Sequence, residues 1–254
     1  MSFYRQGPQR PTGVSIGVPG LSPMVKKIVI VTAAVWVLQF VLSWAGIDLA
    51  WGYDGNGYGL GVVPEKVVRG ALWQPITYIF LHNPIGPMHI LFNMLMLWMF
   101  GGELERFWGP RAFLRYYVIC GIGGGIAATL LGLAVGGLDA RVPTIGASGA
   151  LFGLFVAFGM VFARRTVLFM FFFPMQARTM ALIMFAVAFF YTLTQPRGGV
   201  AHIAHLGGAV VGFLYLKRAW RLGEFYREMK WKIRRRRFKV MPPNDRDDSD
   251  RWVN

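Results

Sequence analysis

The feature that most constrains this chain is the recurrence of apolar runs long enough to cross a bilayer. A hydrocarbon core of about 30 Å needs roughly 20 apolar residues in a helix. Such runs lie at roughly 25–46, 88–108, 112–136, 146–163, 177–195 and 200–217. Backbone polar groups in lipid must be satisfied within the segment, which selects helices. A soluble α/β domain would need short apolar strands alternating with amphipathic helices, and neither pattern occurs. With 55% of 254 residues hydrophobic, the expectation is an all-α, polytopic membrane protein with six spans. The fourth run is short, so its helix is expected to start below the membrane surface.

Charge orients the bundle. Six spans put both termini on one side. All basic residues except Lys66, Arg69, Arg141 and Arg197 then fall on that side. The positive-inside rule makes it the cytoplasm. The net charge of +15 thus reflects topology and anionic inner-leaflet lipid, and nucleic acid is not expected as a partner. Three parts follow: a cytoplasmic N-terminal segment at 1–24, a membrane domain at 25–217, and a cytoplasmic tail at 218–254. Residues 1–23 lack the apolar core of a signal peptide, so the first span is expected to remain as an anchor. The tail begins basic and aromatic, suited to lie on anionic lipid, and ends acidic. The single Cys120 excludes an internal disulfide. The stretch 47–87 is apolar but broken by Gly and Pro, and is expected to embed sideways in the outer leaflet. "VLFMFFFPMQAR", between spans four and five, reads as an interfacial element interrupted by Pro174.

Polar groups inside the spans are few, and each is expensive enough to need a reason. His89 and Asn93 lie four residues apart on span two, in "MHILFN". Ser148 opens span four, in "PTIGASGALFG". His202 and His205 open span six, in "AHIAHLGGAVVG". Spans two, four and six run in the same direction, so these groups share one depth near the outer side. Gly149, Gly153 and Ala157 recur every four residues on span four, and Gly208 and Gly212 share a stripe with His205. Small residues at this spacing let membrane helices approach closely. If the stripes face each other, His205 reaches Ser148.

A serine hydroxyl becomes a strong nucleophile when a neutral imidazole takes its proton. The oxyanion that forms needs donors, and the Ser148 N–H at a helix start, His89 and Asn93 can supply them. Gly146 and Gly149 leave room for a substrate carbonyl. The plainer readings are a serine bonded to its own helix, an interhelical His–Asn bridge, and a histidine pair on metal. A lone serine most often does the first. The histidine pair lacks further metal ligands. Four polar groups at one depth favour acyl chemistry.

The ordered set "HILFN", "GASGALFG" and "AHLGG" resembles the rhomboid family of intramembrane serine proteases, over about residues 25–217. The resemblance implies a six-span bundle and a Ser148–His205 dyad, with His202 as an outer polar contact. It implies oxyanion donors at His89, Asn93 and the Ser148 N–H. It places Phe152 as a ring stacked on the base, and Glu103 or Glu105 as the family glutamate. His82 resembles a loop histidine of some relatives, with a structural hydrogen bond as its role. No metal or cofactor is implied. The partners implied are single-span membrane proteins, cleaved near the outer end of their transmembrane segment. In a bacterium the enzyme would sit in the inner membrane. The rival reading is an inactive relative that binds membrane clients. Water must reach Ser148, so a polar cavity open to the outside is expected above it. Loop 194–199 would be its cap, and Phe185, Phe189, Phe190 and Tyr191 would border a side entrance.

Overall fold

The computed structural model describes residues 20–53, 55–135, 143–169, 173–194 and 202–218. Residues 9–216 form one compact unit. Met1–Pro8 and Lys217–Asn254 form another, of which 217 and 218 are described. Residues 1–19 of the expected N-terminal segment, nearly all of the tail and residues 195–199 of the expected cap loop 194–199 lie outside the described residues.

The described chain is overwhelmingly helical. It runs α1 (Pro23–Trp44), α2 (Pro64–Val68), α3 (Gln74–Thr77), a 3-10 turn (Tyr78–Phe80), α4 (Pro87–Met96), a π turn (Leu97–Gly101), α5 (Gly102–Trp108), α6 (Pro110–Val135) and α7 (Ser148–Val161). Then come β1 (Thr166–Phe169), β2 (Phe173–Gln176), α8 (Ala177–Thr194) and a last helix, α9, over 202–218. Pro23, Pro64, Pro87 and Pro110 are the first residues of α1, α2, α4 and α6. Their missing N–H costs nothing there, and their fixed φ suits a helix start. Gly109, at φ +82°, makes the sharp turn from α5 into α6.

α1, α6 and α8 are each long and apolar enough to cross a membrane. α4, the π turn and α5 run without a break over 87–108. Within that rod a Cβ on Gly101 would meet Leu97, Phe113 and Val25 at 3.0 to 3.3 Å, so α1 and α6 both press on the π turn. α7 has 14 residues, or about 21 Å of helix, shorter than the expected 146–163. It is apolar on every side, the pattern of a buried helix, and it runs through the core.

Two segments carry local structure that the apolar pattern did not announce. β1 and β2 pair antiparallel, with Thr166 opposite Gln176 and Phe169 opposite Phe173. β-branched and aromatic residues favour extended backbone, and Ala177 N–H to Arg165 O at 2.8 Å closes the base. Pro174 is tolerated opposite Leu168 because both strands of a two-stranded sheet are edges. The stretch 47–87 carries the short helices α2 and α3 and a 3-10 turn. Buried Gln74 organises it, accepting from Val63 N–H at 3.0 Å and donating to Gly57 O at 2.8 Å and Gly59 O at 3.1 Å. An amide side chain so used satisfies backbone groups that an apolar setting would otherwise orphan.

Candidate active site

The approach to Ser148 is pinned by backbone. Thr144 and Val62 exchange two hydrogen bonds, at 2.8 and 2.9 Å, and Gly146 N–H donates to Tyr78 O at 3.0 Å. Gly146 has φ +119°, a region that side chains avoid. A Cβ there would lie 2.9 Å from His89 Nε2 and 3.8 Å from Ser148 Oγ. The glycine therefore keeps open the space between those two groups. α7 begins at Ser148 with no side-chain cap. The N–H groups of its first turn have no partner within the helix and carry its positive end.

The glycine stripes of α7 and α9 meet. A Cβ on Gly208 would collide with the Gly149 carbonyl, and one on Gly212 would lie 3.1 Å from Gly153 Cα. α6 completes the seam from a third side. A Cβ on Gly124 would lie 2.7 Å from Ala204 O and 3.4 Å from Gly149 Cα. Two tyrosines fasten the seam: Tyr78 Oη donates to Gly121 O at 2.7 Å and Tyr116 Oη to Gly153 O at 2.8 Å. Carbonyls so bonded cost little to bury.

Across this seam His205 Nε2 lies 2.7 Å from Ser148 Oγ. Phe152, one turn along α7, lies parallel to the His205 ring at 4.4 Å and 3°. His202 meets His205 edge-on at 5.7 Å and stacks on Tyr191 at 5.2 Å. On α4, Asn93 is buried and its Nδ2 donates to His89 O at 2.7 Å. An amide carries two N–H groups, so a second donor remains. His89 Nδ1 faces the Asn83 N–H at 3.5 Å. His82 is fully buried, 4.9 Å from the His89 ring between centroids. Burial, with a smaller push from His89, lowers its imidazole to about 4, so it is neutral at physiological pH. Among the described residues no group of three or more His, Cys, Asp and Glu is placed to hold a metal ion.

A cavity of about 250 Å³ reaches Ser148 between α4, α7 and α8. Apart from Asn93 and Ser148 its lining is apolar. Phe92, Met96, Met99, Phe155, Met180 and Met184 line it with Asn93, and Leu168 of β1 reaches in. From α8 it is the methionines that face the cavity, whereas Phe185, Phe189, Phe190 and Tyr191 are exposed. α8 touches α7 toward the C-terminal end of α7, where a Cβ on Gly159 would lie 2.6 Å from Ala181 Cβ.

Sequence reasoning missed the α6 glycines and both tyrosines. The run "CGIGGG" was the available signal for α6. The two candidate glutamates part company here. Glu103 pairs with Arg165. Glu105 is buried and accepts from the Ser22 hydroxyl, Met24 N–H at 2.8 Å and Val25 N–H at 2.9 Å, capping α1.

Comparison with known proteins follows the same lines. Residues 69–221 match the Rhomboid domain family model, more than half of the chain. The chain is 33% identical over 195 residues to YdcA, a rhomboid protein of Bacillus subtilis, a match covering 76% of this chain and 87% of that protein. It is 30% identical over 147 residues to the rhomboid protease GluP of the same organism, covering 58% of this chain and 26% of GluP. It is 28% identical over 203 residues to the mitochondrial RHOMBOID-like protein 12 of Arabidopsis thaliana, covering 74% and 59%. A helical bundle with membrane-length apolar helices, carrying this domain along most of its described length, belongs to the rhomboid family of intramembrane proteases.

Proposed function

We propose that the protein is an active serine-type rhomboid protease that cuts peptide bonds of single-span membrane proteins. The observation that carries this reading is the 2.7 Å approach of His205 Nε2 to Ser148 Oγ. That distance suits an O–H···N bond between a serine and a neutral imidazole. In the reaction Ser148 Oγ bonds to the scissile carbonyl carbon and its proton passes to His205 Nε2. The carbonyl oxygen becomes an oxyanion, held by the Ser148 N–H, His89 Nε2–H and the second Asn93 N–H. As the C–N bond breaks, His205 returns the proton to the departing amine. Water then attacks the acyl-Ser148 ester, giving a proton to His205, which passes it to Ser148 Oγ as the C–O bond breaks and the acid is released. Phe152 keeps the imidazole in plane throughout. In this reading both termini are cytoplasmic, the six helical rods span the membrane and the basic tail contacts anionic lipid. A bacterial host would place the enzyme in its inner membrane.

The test uses purified protein, a fluorescent transmembrane-segment substrate and a fluorophosphonate probe. Wild type cleaves the substrate and takes up the probe. Ser148→Ala and His205→Ala each abolish cleavage, and the double variant is no worse, because the two groups act as one unit. Substrate bound by wild type and never cut would instead identify an inactive client-binding relative.

A further inference from the structure

α1 carries two polar side chains that reach out of the membrane helix to the two sides of one peptide. Gln39 is buried, and its Oε1 accepts from the His82 N–H at 3.0 Å. Trp36, one turn earlier, donates from Nε1 to Asn83 O at 2.9 Å. An amide buried on a membrane helix is costly and asks for a purpose. Between these two contacts lies the His82–Asn83 peptide, whose Asn83 N–H faces His89 Nδ1 at 3.5 Å. Asn83 Oδ1 then accepts from Ile85 N–H at 3.0 Å and Gly86 N–H at 3.2 Å. This folds the chain back into α4, where His89 follows.

We propose that Gln39 and Trp36 are positioning residues for the reaction: by holding the His82–Asn83 peptide they keep His89 Nδ1 an acceptor and its proton on Nε2, the nitrogen that faces Ser148 across Gly146. The proposal rests on the reading of Ser148 as nucleophile and His89 as oxyanion donor. A neutral imidazole has one N–H, and the bond made by one nitrogen decides what the other offers. With the proton on Nδ1, Nε2 would present a lone pair to an oxyanion and repel it. The contact from Asn83 is long for a hydrogen bond, so a shift of a few tenths of an ångström in the 82–83 peptide decides whether it acts. Two side chains of one rigid helix fix that peptide at both of its neighbours. Fully buried His82 packs beside the His89 ring, 4.9 Å away between centroids.

The experiment compares Gln39→Met, which keeps length and loses the acceptor, with Gln39→Glu, whose neutral carboxyl keeps it. Gln39→Met is expected to lower kcat by about 10-fold, less than outright loss of an oxyanion donor, with KM within about 2-fold. Gln39→Glu is expected to recover most of that loss. The chain has only 4 histidines, so 15N-histidine labelling in detergent resolves each ring, with the His89 signals identified by their loss in His89→Ala. Wild type should show His89 protonated on Nε2, and Gln39→Met should show Nδ1 protonation growing in. If Gln39→Met does not fold, Trp36→Phe removes one N–H and carries the same two readouts. A lower kcat with an unchanged His89 tautomer overturns the proposal, as does a rise in KM alone or no kinetic effect. Cleavage surviving in Ser148→Ala would sink the reading of the site itself. Cleavage lost there but untouched in Gln39→Met would sink this inference alone.

Discussion

On one flank of α7 backbone meets backbone; on the other, methionines face a cavity. Toward α9 and α6 the contact is made by Gly149, Gly153, Gly208, Gly212 and Gly124, where backbone meets backbone with only Cys120, Tyr78 and Tyr116 packed against the glycines. Toward α8 the helices touch near Gly159 and part toward Ser148, leaving about 250 Å³ lined by Met96, Met99, Met180 and Met184. A backbone seam has no rotamers with which to absorb a change. A thioether lining has three rotatable bonds per residue and adapts readily. The pairing of Ser148 with His205 hangs on the stiff flank, and the space beside it belongs to the soft one. Substitutions on the two flanks should therefore fail in different currencies, turnover and stability on one and affinity on the other.

The largest effect is expected at Gly208. A methyl group there collides with the Gly149 carbonyl, and backbone cannot step aside as a side chain can. Gly208→Ala should cost about 1–3 kcal/mol of stability and at least about 10²-fold in kcat, since displacement of a reacting group by an ångström costs that much. Thermal melts beside steady-state assays would read both, and wild-type turnover would break the contrast. Next comes Glu105→Leu, away from both flanks. It leaves the N–H groups of Met24 and Val25 without their acceptor and should cost about 3 kcal/mol or more, with kcat of the folded fraction within about 2-fold. Turnover that falls as steeply as stability would mean that α1 transmits strain to the site.

Phe152→Leu is expected to cost less. It removes a parallel ring 4.4 Å from His205, a contact of about 0.5–1.5 kcal/mol, so kcat should fall about 2- to 10-fold with little change in melting temperature. Smallest is Met184→Leu, a volume-conserving change on the soft flank. KM should move by about 2- to 3-fold while kcat and stability hold. A collapse of stability there would show that the cavity wall is as stiff as the seam.

Much of this was legible before the coordinates. Apolar runs set the helices because lipid leaves backbone no other partner, and the stripes of α7 and α9 announced their contact through a period of four. The β1–β2 pair was not legible, since a short apolar run with proline reads equally as an interfacial segment. Nor was the role of Tyr78, which sits in a stretch without periodicity and reaches Gly121 across 43 residues of sequence. The apolar cavity beside Ser148 was not legible either, for a different reason. The need for water at Ser148 is a functional argument, whereas the lining is set by which face of α8 turns inward, and an all-apolar helix does not declare its face. The choice between Glu103 and Glu105 likewise depended on rotation within one turn of helix.

The cap that Glu105 places on α1 has a consequence for biosynthesis. The carboxylate and the Val25 N–H that it receives are separated by 80 residues. Protein synthesis adds about 5–20 residues per second, so at that pace the first helix leaves the ribosome roughly 4–16 seconds before its cap exists. During that interval the start of α1 can be satisfied only by water or headgroups, which holds it at the membrane surface. The same glutamate, arriving with the end of α5, then draws the helix start into the protein. The first segment to be made is in this respect among the later ones to be finished.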